Sequence, residues 1–169
     1  MENFLLQREL TISCSRTERG KHMQLGIRLH DIKKAPLEER LAIAKEQGFL
    51  CGHLALSKVI TEYPVDDGAL TPGYAMYLKK IFAKNDLDIA VLGCYLNLAN
   101  PDEGQLAKIT HRYLAHIRFA SLLGVGVVGT ETGAVNEAYK FEEKNHSDEA
   151  LDIFCLLYTS PSPRDKRQS

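Results

Sequence analysis

Asp88-Ile-Ala-Val-Leu-Gly-Cys-Tyr-Leu-Asn-Leu-Ala-Asn-Pro-Asp-Glu103 is the stretch whose reading decides the fold. Residues 88–92 are short, apolar and β-rich, as a buried strand is. A loop over residues 95–100 follows. Asn100 and Pro101 then read as a helix cap and a first helical residue, and Asp102 and Glu103 place negative charge at the positive end of the helix dipole. Beyond them Leu106, Ile109, Tyr113, Ile117 and Ala120 recur at helical spacing, and Gly124 closes the helix. The stretch therefore encodes one strand, one long loop and one helix.

The same unit occurs three more times outward from it. Residues 25–29 precede a helix opened by Pro36, with Leu37, Leu41 and Ala44 on one face and Gly48 as its stop. Residues 51–56 precede a helix capped by Thr71 and begun by Pro72, with Ala75, Leu78 and Phe82 as its buried stripe and Asn85 at its end. Residues 125–129 precede a helix starting at Ser147, with Asp148 and Glu149 in its first turn and Ala150, Leu151 and Phe154 opening an apolar face. Strict alternation of strand and helix implies a parallel sheet with right-handed crossovers. The connections are unequal, short from helix to strand and long from strand to helix (30–35, 57–70, 95–100 and 130–146). Function in such folds sits in the loops after the strands, so one face is marked as the working face. The predicted fold class is α/β, a partial (β/α)8 TIM barrel of about four βα units, truncated. An open doubly wound sheet is the second reading.

The 169 residues contain 21 Lys and Arg against 22 Asp and Glu, and 44% are hydrophobic. That balance excludes a charged disordered tail and leaves no electrostatic case for nucleic acid or an anionic membrane as partner. No apolar run reaches the roughly 20 residues of a membrane span, and the first 20 residues have no uninterrupted apolar segment like that of a signal peptide. The cysteines, Cys14, Cys51, Cys94 and Cys155, form no C-x-x-C pair and read as buried reduced thiols of a cytoplasmic protein. Three domains of sequence are expected. Residues 1–22 read as a non-native or flexible extension, with translation starting at Met23. Residues 23–154 form the folded part. Residues 155–169 read as an artefactual tail, because 155–165 resemble a translated sequencing adapter and Pro161 and Pro163 cannot continue a helix.

Four segments carry a further likeness: residues 23–31 (MQLGIRLHD), 52–58 (GHLALSK), 90–100 (AVLGCYLNLAN) and 124–133 (GVGVVGTETG). Together they resemble the xylose-isomerase-like TIM barrels, more narrowly the sugar-phosphate isomerase/epimerase proteins, across 23–154. The resemblance implies proton transfer next to a carbonyl through an enediolate. It also implies a divalent metal (Mn, Mg, Co or Zn) held by ligands on later strands, beyond Phe154. The implied partner is a small sugar or sugar phosphate, with a homo-oligomer also open. The fragment itself is expected to be inactive.

Glu131, between Thr130 and Thr132 at the mouth after the fourth strand, is the catalytic candidate; its bland reading is a loop carboxylate paired with a lysine or water. His30, Tyr95, Asn97 and Lys58 are the substrate-binding candidates. His30 ends the first strand. Tyr95 and Asn97 follow the third and by alternation point to one side, where a phenol and an amide suit sugar hydroxyls. Lys58 follows the second strand and suits a phosphate. The bland readings are a backbone-bonded His, a loop held by local Asn bonding, and a solvated Lys. Asp31 is expected to cap a turn, and His111 and His116 to be ordinary helix residues; His53, inside the second strand, either points into the barrel or, as the favoured reading, is a satisfied core histidine. Gly124-Val-Gly-Val-Val-Gly129 matches a dinucleotide fingerprint by letter, but it follows a helix and lies on a strand, so NAD binding is rejected. Two other functions stand beside this one: an apurinic endonuclease-like repair enzyme, against which the scarcity of mouth histidines and an acidic core speak, and a non-catalytic half-barrel module or assembly partner, stable as a monomer or as a symmetric dimer that closes the barrel.

Overall fold

A computed structural model describes residues 23–158. The expectations for residues 1–22, including Cys14, and for residues 159–169 lie outside the described residues. Four strands, β1 (Gly26–Arg28), β2 (Cys51–Ala55), β3 (Asp88–Gly93) and β4 (Val128–Gly129), form one parallel sheet in the order β1-β2-β3-β4. The helices are α1 (Leu37–Glu46), α2 (Leu56–Val59, a single turn), α3 (Pro72–Lys84), α4 (Glu103–Leu123) and α5 (Asp148–Tyr158). Spatial order follows chain order with no reversal. An open doubly wound sheet reverses its strand order at a switch point, so that reading falls and the partial barrel stands.

Local chemistry sets most element ends. Thr71 Oγ1 accepts a hydrogen bond from the Tyr74 amide at 3.2 Å, and Pro72 is the first residue of α3. Gly48 (φ +83°) and Gly124 (φ +77°) take the left-handed conformation that stops α1 and α4. Leu29, Leu41, Leu54, Leu78, Phe82, Leu92 and Phe119 fill the core between sheet and helices.

Several boundaries differ from expectation. Asp102, not Asn100, caps α4, its Oδ1 accepting from the Gln105 amide at 2.6 Å, while Asn100 Oδ1 accepts from the Asp102 amide at 2.9 Å one step earlier. The first strand ends at Arg28 because residues 29–31 turn into a 3-10 helix, and only Val128 and Gly129 of the fourth segment pair. Residues 56–59 make a helical turn instead of extending β2. Helix α5 continues to Tyr158, past Phe154. Cys51 and Cys94 are buried thiols as expected, but Cys155 is exposed. The strand pairing also contains an irregularity: Cys51 and Gly52 face Asp88 and Ile89, whereas His53 faces Val91, so Ala90 is an extra residue on β3. No helix among the described residues is long and apolar enough to cross a membrane.

Candidate functional site

The carboxyl ends of β1, β2 and β3 bring three rings together. His30 lies in the 3-10 turn after β1, His53 within β2 opposite Arg28, and Tyr95 just past β3. Ring centroids are 5.5 Å apart for His30 and His53, 6.0 Å for His30 and Tyr95, and 5.8 Å for His53 and Tyr95. The Tyr95 hydroxyl is 3.2 Å from His53 Nε2. Lys58 on α2 places Nζ 3.7 Å from the centre of the Tyr95 ring, a cation–π contact. Arg28 donates from Nε to Asp31 Oδ2 at 2.7 Å, so Asp31 is an ion-pair partner and not a turn cap.

Buried supports hold this cluster. Arg40, on α1 and only 2% exposed, donates to Ala35 O at 2.8 Å and to Leu29 O at 3.0 Å. These bonds clamp both ends of the loop carrying His30. Gly93 supplies the room for His53: a Cβ there would run into His53 Nε2 and lie 3.0 Å from the Ala55 Cβ. Burial lowers the proton affinity of both imidazoles. His30 is lowered further by Lys58 and Arg28 against the pull of Asp31, and His53 by His30 and Arg28. Both rings are therefore neutral near pH 7, each with one donor and one acceptor nitrogen. His30 Nδ1 is buried with no hydrogen-bond partner among the described residues.

Glu131 follows β4 and is exposed. Its Oε2 accepts from the Tyr139 hydroxyl at 2.8 Å. Burial and this bond raise the Tyr139 phenol above its ordinary value, so it stays a donor. Burial also raises the Tyr95 phenol, with Arg28 opposing and the Glu131 and Asp31 charges adding.

Asn97 faces elsewhere. The backbone turns after Tyr95, with the Leu98 amide bonding Leu96 O at 3.0 Å, so the alternation expected to align Asn97 with Tyr95 is lost. The Asn97 amide is 5% exposed, donates to Asn136 O at 2.9 Å and accepts from the Ala134 amide at 2.7 Å. Asn136 and Asn145 extend this clasp through Lys140 O, at 2.8 and 3.1 Å. Gly133 (φ +96°) passes so close that a Cβ would lie 2.6 Å from Asn97 Oδ1. Tyr139 itself holds φ +52°, a left-handed conformation unusual for a tyrosine.

His53 is a correction to the sequence reading: it is half-buried in the ring cluster and not a packed core histidine. The available signal was its position two residues before the end of β2, on the face Gly93 leaves open. Arg40 and Tyr139 carried no sequence signal. His111, His116 and His146 lie apart, beside Asp67, Arg112 O and Phe141 respectively. Among the described residues no group of three His, Cys, Asp or Glu side chains is arranged to hold a metal ion. These residues do not fit the divalent metal that the resemblance implies.

Four parallel βα units with polar side chains gathered at the strand tips define part of a TIM barrel. Two solved structures have this architecture. One is a Rhodospirillum rubrum protein provisionally assigned as a xylose isomerase (TM-score 0.59, 19% identity, covering 88% of this chain and 52% of that one). The other is D-psicose 3-epimerase with D-tagatose from Clostridium cellulolyticum H10 (TM-score 0.53, 14% identity, covering 80% of this chain and 47% of that one). The chain thus spans about half the length of the solved structures it matches. No family model matches the sequence, and no curated protein does.

Proposed function

We propose that this chain is the N-terminal, substrate-recognising part of a sugar or sugar-phosphate isomerase or epimerase. The observation that carries the reading is the convergence of His30, His53 and Tyr95, with Lys58 beside them, at the carboxyl ends of parallel strands. Two neutral imidazoles and a phenol offer paired donors and acceptors of the kind sugar hydroxyls need. Lys58 supplies a cation for a phosphate. Asn97 shapes the mouth by holding residues 134–136. Glu131 is the carboxylate that takes or returns the proton on the carbon next to the carbonyl, and Tyr139 holds its Oε2. A divalent metal in such chemistry would come with ligands from outside residues 23–158. Half a barrel mouth holds substrate on one side only, so the chain alone turns over little or no sugar.

The test is a titration of the full chain with ketoses and ketose phosphates, followed by histidine and tyrosine ring signals in NMR. Saturable shifts are expected at His30, His53 and Tyr95, with His111 and His146 silent. Shifts at His111 and His146 alone, or none at tens of millimolar sugar, would overturn the proposal.

A further inference from the structure

A cavity of about 250 Å³ lies between the α2 turn, the end of β3 and α4. It is distinct from the ring cluster, with which it shares Tyr95 alone. His116 of α4 lines it and is 6% exposed. The His116 Nδ1 is 2.9 Å from Arg112 O. A carbonyl only accepts, so Nδ1 carries the proton and Nε2 is a bare acceptor. That bond ties one edge of the ring to its own helix and turns the Nε2 edge away from it. Nε2 has no hydrogen-bond partner among the described residues, and it is not sealed from solvent. The open space that this buried acceptor meets is the cavity.

We propose that this cavity is a second binding site, for a small neutral alcohol or phenol whose hydroxyl donates to His116 Nε2 while its carbon body lies against Leu56, Val65 and Leu96. The lining fixes that chemistry. Arg112 is its one charged residue and is already engaged: Nε lies 3.5 Å from Asp67 Oδ1, and Nη2 donates to Val65 O at 3.2 Å. Burial keeps the His116 imidazole neutral and the Cys94 thiol protonated. Among the described residues the lining therefore offers an anion no uncompensated cation, and a cation no carboxylate. The size is also suitable, since a cavity of roughly 150 Å³ already holds a benzene ring. Tyr95 forms part of the wall, and its hydroxyl is 3.2 Å from His53 Nε2, so an occupant is felt at the strand tips as well. The inference does not depend on the sugar reading.

The test is a titration of the full chain with phenol, toluene and benzoate, followed by imidazole nitrogen and tyrosine ring signals in NMR. Phenol should shift His116 Nε2 and Tyr95 together and saturably. It should bind about 3- to 10-fold more tightly than toluene, which has the ring but no donor. Benzoate, of similar size but charged and without a donor, should leave His116 unmoved. His116→Leu should abolish the advantage of phenol over toluene, and Leu96→Phe should fill the cavity and block both. The comparison of the three probes on the wild-type chain decides the matter even where a variant fails to fold. No saturable shift of His116 at tens of millimolar phenol overturns the inference. So does toluene or benzoate binding as tightly as phenol, a His116 shift without Tyr95, or phenol binding that survives Leu96→Phe.

Discussion

Gly93→Ala is the perturbation with the clearest structural cost. Gly93 is buried in β3, between Ala55 on β2 and Gly129 on β4. A methyl group there meets the Ala55 Cβ at 3.0 Å, a contact fixed by the sheet spacing, and collides with the tip of the His53 ring. The imidazole must leave its position and lose its contact with the Tyr95 hydroxyl. Overpacking of this kind costs about 1–3 kcal/mol. For a domain of this size that corresponds to a fall in melting temperature of roughly 3–10 °C. Urea melts of the wild type, Gly93→Ala, His53→Ala and the double variant form a complete cycle. If the clash is the cause, Gly93→Ala should cost less once His53 is already Ala, with a coupling of about 1 kcal/mol. The His53 and Tyr95 ring signals should move in Gly93→Ala, while His116 stays in place. Additive costs, or an unmoved His53 signal, would refute the assignment of Gly93 as the seat of that ring.

Asn97→Ala strips two bonds from backbone groups at 134 and 136 and should cost about 2–3 kcal/mol, with faster proteolysis between residues 134 and 145; an unchanged cleavage rate would count against the clasp. Burial holds His30, His53 and His116 below the ordinary histidine value. The unfolded chain therefore binds more protons below about pH 6.5, so the melting temperature should be flat above that pH and fall as acid is added. A rise toward acid would contradict the burial of these rings. Burial pushes the Cys94 thiol up to about 12, whereas Cys155 is exposed. Iodoacetamide near pH 8 should modify Cys155 and spare Cys94 until the protein unfolds, and peptide mapping that finds equal native rates would refute this.

The legible parts of the fold were those decided within a few residues. Thr71 with Pro72, and the glycines at 48 and 124, act through local backbone chemistry, and each marks a helix end as its sequence implies. The overall alternation of strands and helices was legible for the same reason. The site was less so. His30, Tyr95 and Lys58 were visible because they follow strands, but their meeting with His53 depends on the register between β1, β2 and β3. Asn97 misled because alternation holds only while the backbone stays extended, and it turns at Leu96. Arg40 sits on a helix face among apolar neighbours, where no periodicity distinguishes a buried guanidinium from a surface one. Tyr139 matters through a left-handed backbone imposed by the Asn136 and Asn145 side chains, partners that cannot be inferred from spacing.

The additional residue Ala90 decides which length changes β3 tolerates. Because Ile89 packs toward the core with Gly52, and Leu92 with Leu54, the parity of β3 switches between them. Removing Ala90 would place Val91 directly after Ile89 and leave the pairings of Val91 with His53, Leu92 with Leu54 and Gly93 with Ala55 as they stand, so Tyr95 would keep its side of the sheet. A one-residue deletion between Leu92 and Tyr95, by contrast, would turn Tyr95 toward the other face and dismantle the constellation with every one of its members still encoded.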